Sequence, residues 1–421
     1  MNATPSEGCN AATTALLQQH ARDVNCLSDA DRTVRRRALQ RLAVLGSDSV
    51  DADALATLWE QSLCNPVLKL FADSVEKNRE LSITLVSSIV ERLALSALLS
   101  TLPFIMPVVA GRLVAGSEEP VEELRLLLLQ LLRALIERGG TSLAAYLPEL
   151  VQILSSGFSD PFPDAKKLSC SLACSLCECL PTEMEPHCAP LIRAMQPSLT
   201  HQHSRVRGAA TEALVALLLR EPSALAEIAA QLSLIATDRA PAVREQAVLS
   251  VAQLMAHVPN RMQHAPRLLP LLLCALSDDV DAIQQQALRS LQQVGELLTV
   301  DITASAASQP AVPDLATAAA AASLSETGGR SGEATAQTAT DAAAAADAAA
   351  AATRPPIAKT SEVLERTPFG HPPPAGAAAL VAWNLRSLVP PLTTELNDWT
   401  AKARARAAHT LLATLWCAGP A

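Results

Sequence analysis

Polar turns closed by an apolar–basic pair alternate along this chain with stretches whose leucines, alanines and valines fall at helical spacing. The clearest copy is LTHQHSRVRGAATEALVALLL, residues 199–219. There the turn runs into Val206 and Arg207, and Ala210, Leu214, Leu217 and Leu218 then share one helix face. The figure returns as Asp29…Val34-Arg35…Ala38, as Asp238…Val243-Arg244…Ala247 and as Asp278…Ile283-Gln284…Ala287. The second residue of the pair stands at Arg35, Arg79, Arg125, Lys166, Arg207, Arg244, Gln284 and Arg404, in steps of 44, 46, 41, 41, 37, 40 and then 120 residues. The first six steps lie close to the period of about 40 to 47 residues of HEAT and armadillo units, each a helix pair or triplet that buries its apolar face only by stacking on the next.

A second figure precedes most of these pairs: a proline in an apolar run, at Pro107, Pro148, Pro190, Pro270 and Pro390. Proline fits a helix's first turn, where its missing N–H has no partner to lose. Each unit therefore reads as a helix A with proline near its start, a turn carrying Asp or Asn, and a helix B that opens on a basic residue. The fold class expected is an all-α, HEAT-repeat (armadillo-like) right-handed solenoid.

Along the chain, residues 1–14 are polar and expected to be flexible, and the array occupies 15–300. Between 301 and 376 Ala, Thr, Ser, Gly and Pro dominate, with almost no Leu, Ile or Val to bury. Such a segment cannot offset its ordering entropy and is expected to form a disordered insertion. The repeat resumes over 377–421 as a final unit. No polar closing helix follows it, so the array reads as continuing or truncated there.

Composition narrows the chemistry. Hydrophobic residues make up 49% of the 421 and aromatics 2%, a core of aliphatic helices rather than a ring-lined ligand pocket. A net charge of -9 argues against nucleic acid as the main partner, because that affinity rests on cations neutralising phosphates. The N-terminal residues have no basic start followed by an apolar core, so no secretory signal is expected. Ten cysteines at irregular spacing then read as reduced thiols. The charge-free stretch 93–111 is long enough to cross a bilayer, but Pro103 and Pro107 interrupt it where one helix would end and another begin, and no membrane partner is expected.

The recurring basic residue has a structural reading. Stacked units bring each turn beside the next, so Arg35, Arg79, Arg125, Lys166, Arg207, Arg244 and Arg404 can form an inter-repeat ladder with Asp160, Asp238, Asp278 and Asp398 of their own or neighbouring turns. Asp238 with Arg244 is the example expected. At a half-exposed edge each pair contributes about 0.2 to 1 kcal/mol.

Cys170, Cys174 and Cys177, with Cys179, His187 and Cys188 nearby, have a spacing that can hold an iron–sulfur cluster or zinc, and a redox sensor is a further reading. They also fall at i, i+4 and i+7 within one helix B, which favours thiols packed as small hydrophobes. His201 and His203 lack further ligands at metal spacing. Of the run Arg32, Arg35, Arg36, Arg37 and Arg41, Arg35 belongs to the ladder and the others to a solvated face able to meet an acidic partner. No phosphate-cradling loop, nucleophile elbow or Ser/His/Asp set is visible, so no catalytic residue, cofactor or metal is assigned and no enzyme activity is expected.

The stretches VEELRLLLLQLLRAL (121–135), SDPFPDAKKLSCS (159–171), LTHQHSRVRGAATEAL (199–214) and NLRSLVPPLTTELNDWTAKARARAAHTLL (384–412) together resemble, in register, the N-terminal half of the HEAT-repeat axonemal dynein assembly factors. The likeness spans about residues 30–412 apart from the insertion. It implies a non-enzymatic cytoplasmic scaffold, in dynein assembly foci, that helps preassemble outer and inner dynein arms for motile cilia. Its partners would be axonemal dynein intermediate and heavy chains, with chaperones nearby. A transport or phosphatase scaffold adaptor is the alternative.

Overall fold

The computed structural model describes residues 5–47, 50–114, 119–308 and 369–419, with side chains omitted for 5–13 and 298–308. Among the described residues every regular element is a helix. The chain divides into two compact units, Met1–Pro259 and Asn260–Ala421.

In the first unit A and B helices alternate. The A helices are α1 (Pro5–Cys26), α3 and α4 (Ala52–Leu58 and Cys64–Lys69, joined by a π turn at Trp59–Leu63), α6 (Leu95–Leu113), α8 (Leu147–Ser159), α10 (Pro181–Met195) and α12 (Leu225–Ala236). The B helices are α2 (Arg32–Leu42), α5 (Glu76–Arg92), α7 (Glu122–Gly139), α9 (Pro163–Cys179), α11 (Ser204–Leu218) and α13 (Pro241–His257). Successive B helices from α2 to α13 pack on one another, while α4, α6, α8 and α10 form the second layer. The leucines at helical spacing lie between the layers, as Leu128, Leu131, Leu132 and Leu135 do on α7, none of them exposed. Burying each such side chain contributes about 1.5–3 kcal/mol. The expected two-layer stack of helix pairs is present.

In the second unit α14 (Arg261–Ala275) and α15 (Asp281–Ser308) form one pair, and α16 (Ala375–Glu395) and α17 (Ala401–Ala418) another. Here α15 and α16 cross at two glycines. A Cβ on Gly295 would stand 2.1 Å from the Gly376 carbonyl oxygen, so only hydrogen on each Cα lets the backbones approach this closely. The pair that precedes residues 309–368 and the pair that follows them are thus directly packed.

Several boundaries differ from those read in the sequence. Helix α1 begins at Pro5, inside the stretch expected to be flexible, because proline suits the first helical position and Ala11, Ala12 and Leu16 favour the helix that follows. Helix α15 runs through Ser308, beyond the expected break at 301, over the helix-favouring Ala304, Ala306 and Ala307. The expected disorder falls mostly on 309–368, outside the described residues.

The prolines also behave differently. Pro148 occupies the first turn of α8 as expected, but Pro107, Pro190, Pro270 and Pro390 lie inside α6, α10, α14 and α16. These helices begin well upstream of the proline, and tertiary packing of Leu98, Ile105, Met106 and Val109 in α6 outweighs the two backbone bonds lost at Pro103 and Pro107. Residues 95–113 are therefore one helix rather than two, long and apolar enough to span a membrane, with 44% of that span buried in the protein.

Candidate functional site

At the turn before every B-type helix except α11, one acidic residue stands six positions ahead of the ladder residue: Asp29 before Arg35, Asp73 before Arg79, Glu119 before Arg125, Asp160 before Lys166, Asp238 before Arg244, Asp278 before Gln284 and Asp398 before Arg404. That offset does two jobs. The ladder side chain folds back to donate to the backbone carbonyl of its own turn, as Arg35 does to Asp29 at 2.8 Å, Arg79 to Asp73 at 2.9 Å, Arg244 to Asp238 at 3.0 Å and Arg404 to Asp398 at 2.8 Å. The acidic side chain meanwhile accepts the N–H two residues on, as in Val75 to Asp73 at 2.7 Å and Ala240 to Asp238 at 2.8 Å, and so fixes the entry to helix B.

The carboxylate then receives the ladder arginine of the preceding unit. Arg35 reaches Asp73 at 2.6 Å, Arg79 reaches Glu119 at 2.7 Å, Arg125 reaches Asp160 at 2.7 Å and Arg207 reaches Asp238 at 2.6 Å. The last three are two-pronged, both guanidinium nitrogens meeting both carboxylate oxygens. Asp238 is thus the side-chain partner of Arg207, whereas Arg244 meets its backbone carbonyl; the pairing expected from sequence is corrected to a link one unit back. Six residues of helix leave Arg244 beside its own turn's main chain and aim the preceding unit's arginine at the carboxylate.

These links are also more enclosed than a half-exposed edge. Glu119 has no exposed surface and is held by Arg79 and Arg112 together. Burial pushes the carboxyls of Asp73, Glu119 and Asp238 up, but the arginine hydrogen bonds and a backbone N–H outweigh it and hold each below the usual carboxylate range.

The sequence reading missed Asp73 and Glu119 and placed Asp29 in the recurring figure without assigning it to the ladder, although the six-residue offset marks all three. It also missed a second row. Arg92 at the end of α5 donates to the carbonyls of Leu45 at 2.7 Å and Val50 at 2.5 Å, and Arg138 at the end of α7 donates to those of Val90 and Leu93. Arg138 thus satisfies carbonyls left open at the C-terminus of α5, and Arg92 those of the connection that follows α2. The signal was VER at 90–92 returning as IER at 136–138, the same 46-residue step as the ladder.

One junction inside the first unit has no such link. Lys166 replaces arginine and His201 replaces the acid of the next turn; Lys166 donates to the Phe158 carbonyl at 3.0 Å, and no carboxylate pairs with it among the described residues. His201 still performs the local job, its Nδ1 accepting the His203 N–H at 3.1 Å. Burial, with Lys166, His203 and Arg207 around it, holds its pKa below the ordinary histidine value. In the second unit Gln284 keeps the turn contact, to the Asp278 carbonyl at 2.6 Å. Asp398 accepts from the Thr400 N–H at 2.7 Å, and Trp399 beside it is 90% exposed.

The cysteine cluster belongs to the core. Cys170 and Cys177 on α9 and Cys188 on α10 are buried, and Cys188 donates to the Met184 carbonyl at 3.2 Å. Burial pushes the Cys170 and Cys174 thiols up to about 12, so the thiolate a metal or an oxidant needs is disfavoured. A hydrogen bond with Cys188, and burial, push Cys177 up as well.

The solvent face of the B helices is free, as is the A side, where Leu95 and Phe104 on α6 and Leu234 on α12 are exposed. Between α7, α9 and α11 the B face opens into a cavity of about 370 Å³, with Leu126, Leu168 and Ala209 at its apolar side and Gln130, Arg133, Asp164, Lys167, Ser171 and Glu212 around it. At α2 the same face carries Arg36 and Arg37, both exposed; Arg37 feels the charge of Asp31, but neither arginine makes a contact ion pair among the described residues, while Arg35 is engaged by Asp73 and Arg41 by Asp23 at 2.6 Å. The surface has the makings of a binding face.

Comparison with known proteins gives this geometry a context. A family model described as dynein axonemal assembly factor 5-like, TPR repeats, matches residues 26–300. The steps of 37 to 46 residues here are longer than the 34 of a tetratricopeptide unit, so the helix pairs are of HEAT length. Dynein axonemal assembly factor 5 of Xenopus laevis is 31% identical over 294 residues, 69% of this chain and 35% of that protein. The Mus musculus protein of the same name is 29% identical over 271 residues, 62% of this chain and 32% of its own length. The chain thus spans about a third of the length of these curated relatives. Among solved structures, Kap95 in its complex with Nup1 has a TM-score of 0.54 at 11% identity, over 95% of this chain and 46% of that one, a likeness that shows the fold alone.

Proposed function

The chain belongs to the dynein axonemal assembly factor 5 family, and from that premise we propose that it is a non-enzymatic cytoplasmic scaffold on which axonemal dynein arms, outer and inner, are preassembled for motile cilia. Its clients are dynein intermediate and heavy chains, held while chaperones act on them, in dynein assembly foci. The observation that carries this reading is the overlap of the family match, residues 26–300, with the stacked helix pairs whose turns are tied by Arg35, Arg79, Arg125 and Arg207. A stack so tied holds its outer B-helix face in a fixed register over many helices, which is what a long client segment requires.

The test is affinity capture of the tagged full chain from ciliated-cell cytosol, read by mass spectrometry, with electron microscopy of cilia after its removal. Dynein intermediate or heavy chains in the capture, and axonemes lacking arms, are expected. Intact arms after removal, or a capture dominated by nuclear cargo or phosphatase subunits, would overturn the reading.

A further inference from the structure

The free B-helix face of the first unit changes character along its length. At α2 it presents Arg36 and Arg37, in a chain of net charge -9; at α5 the exposed Lys77 is already engaged by Glu80 at 2.7 Å; at α7–α9–α11 it opens into the cleft over Leu126, Leu168 and Ala209. The two free guanidiniums and the cleft share one register. Arg36 stands one residue past the ladder position of α2, as Leu126 and Lys167 do on α7 and α9, and Arg37 stands two past it, as Leu168 and Ala209 do. A ligand following that register crosses the B helices transversely.

Resting on the scaffold reading, we infer that this face takes an extended acidic segment of a client polypeptide, with carboxylates on Arg36 and Arg37 and an aliphatic side chain seated in the cleft. Charge complementarity selects the class of occupant. Exposed guanidiniums that make no contact ion pair, in an otherwise acidic chain, attract carboxylates, which they meet in two-pronged geometry. The apolar side of the cleft needs an aliphatic group to displace its water. Neighbouring helices stand about 8–10 Å apart, so the arginines and the cleft are separated by about 20–25 Å, which an extended strand covers in about seven residues. The cleft spans the α7–α9 and α9–α11 junctions, and neither Arg125 nor Asp160 of the first is among its lining residues while the second carries no ion pair among the described residues, so seating a side chain there breaks no ion pair between turns.

The test is fluorescence anisotropy of a labelled synthetic peptide, a run of glutamates, a glycine–serine spacer of about seven residues and a Leu-Met end, titrated with the full chain. Saturable binding is expected, weakened at least about tenfold by Arg36→Glu with Arg37→Glu and again by Ser171→Trp, which fills the cleft from an exposed position. Raised salt should weaken the parent and leave the arginine variant little changed. Equal binding by parent and variants, or no saturable binding by the parent, overturns the inference. So does self-association of the parent, seen in sedimentation, that Arg36→Glu/Arg37→Glu abolishes, since the occupant is then a second copy. Dynein chains still captured by the arginine variant would sink this site and leave the scaffold reading standing; no dynein capture by the parent would sink that reading instead.

Discussion

Two junctions in the first unit join B helices of the same kind by different means. Between α5 and α7, Arg79 and Glu119 form an enclosed two-pronged pair with Arg112 alongside. Between α9 and α11, Lys166 and His201 occupy the same two positions and make no pair, yet these helices pack closely through Ala173, Leu176, Ala210 and Leu214, all buried. Apolar burial along the helix bodies therefore suffices to hold neighbours together. What the ion pair adds is direction: it fixes which turn sits against which, and penalises any slip by leaving a charge stranded. Glu119→Ala tests this most severely, since it strands both Arg79 and Arg112. A loss of about 3–5 kcal/mol is expected in urea unfolding, whereas His201→Ala at the unpaired junction should lose less than about 1 kcal/mol.

Acid should act on the two junctions differently. The depressed carboxyls of Asp73, Glu119 and Asp238 contribute stability that is complete above their unfolded pKa, about 4, and lost as pH falls through their lower folded values. A fall in the unfolding free energy of roughly 1–3 kcal/mol below about pH 4 is expected. Replacing Glu119 by Gln should remove part of that slope, measured by thermal unfolding across pH. A slope unchanged by Glu119→Gln would mean that the acid response arises elsewhere.

The unpaired junction can also be converted. Lys166→Arg with His201→Asp installs both halves of the link, and a double-mutant cycle should return a favourable coupling of about 1 kcal/mol or more. A coupling near zero would show that α9 and α11 cannot place an arginine against that turn.

Much of this was legible in the chain, for identifiable reasons. The helix pairs were readable because Leu, Ala and Val recur at 3.6-residue spacing, and the ladder because a basic residue returns every 37 to 46 positions. The partner of each arginine was less so. Asp238 is six residues from Arg244 and 31 from Arg207, and only the stacking of units shows that the distant arginine takes the carboxylate. Glu119 escaped notice because it differs in type from the aspartates while doing their work. The prolines misled because local chemistry favours a helix start, whereas packing on both sides of Pro107 carries α6 straight through it. No local pattern announced the Gly295–Gly376 crossing, since its two members are 81 positions apart and meet only when α16 folds onto α15. The cleft was equally silent, because Leu126, Leu168 and Ala209 share a register and no motif.

The smallest effect falls on the histidine itself. His201 is neutral in the folded chain, because its Nδ1 accepts the His203 N–H and because burial, Lys166, His203 and Arg207 disfavour a further positive charge. Unfolding releases it to an ordinary histidine pKa near 6.5, so below that pH the unfolded chain takes up the proton first. Stability is complete above about pH 6.5 and declines as pH falls toward the lower folded value, by a few tenths of a kcal/mol for a group partly open to solvent. Among the junctions the decline belongs to this one, since the other turns carry carboxylates that stay charged in the same range; elsewhere in the chain burial also lowers His20 and His264, which add slopes of the same sign. His201→Gln keeps an acceptor near the His203 N–H and cannot be protonated. Its unfolding free energy should therefore slope less than the parent's between about pH 7 and pH 5.5, and a slope equal to the parent's would place the titrating group elsewhere.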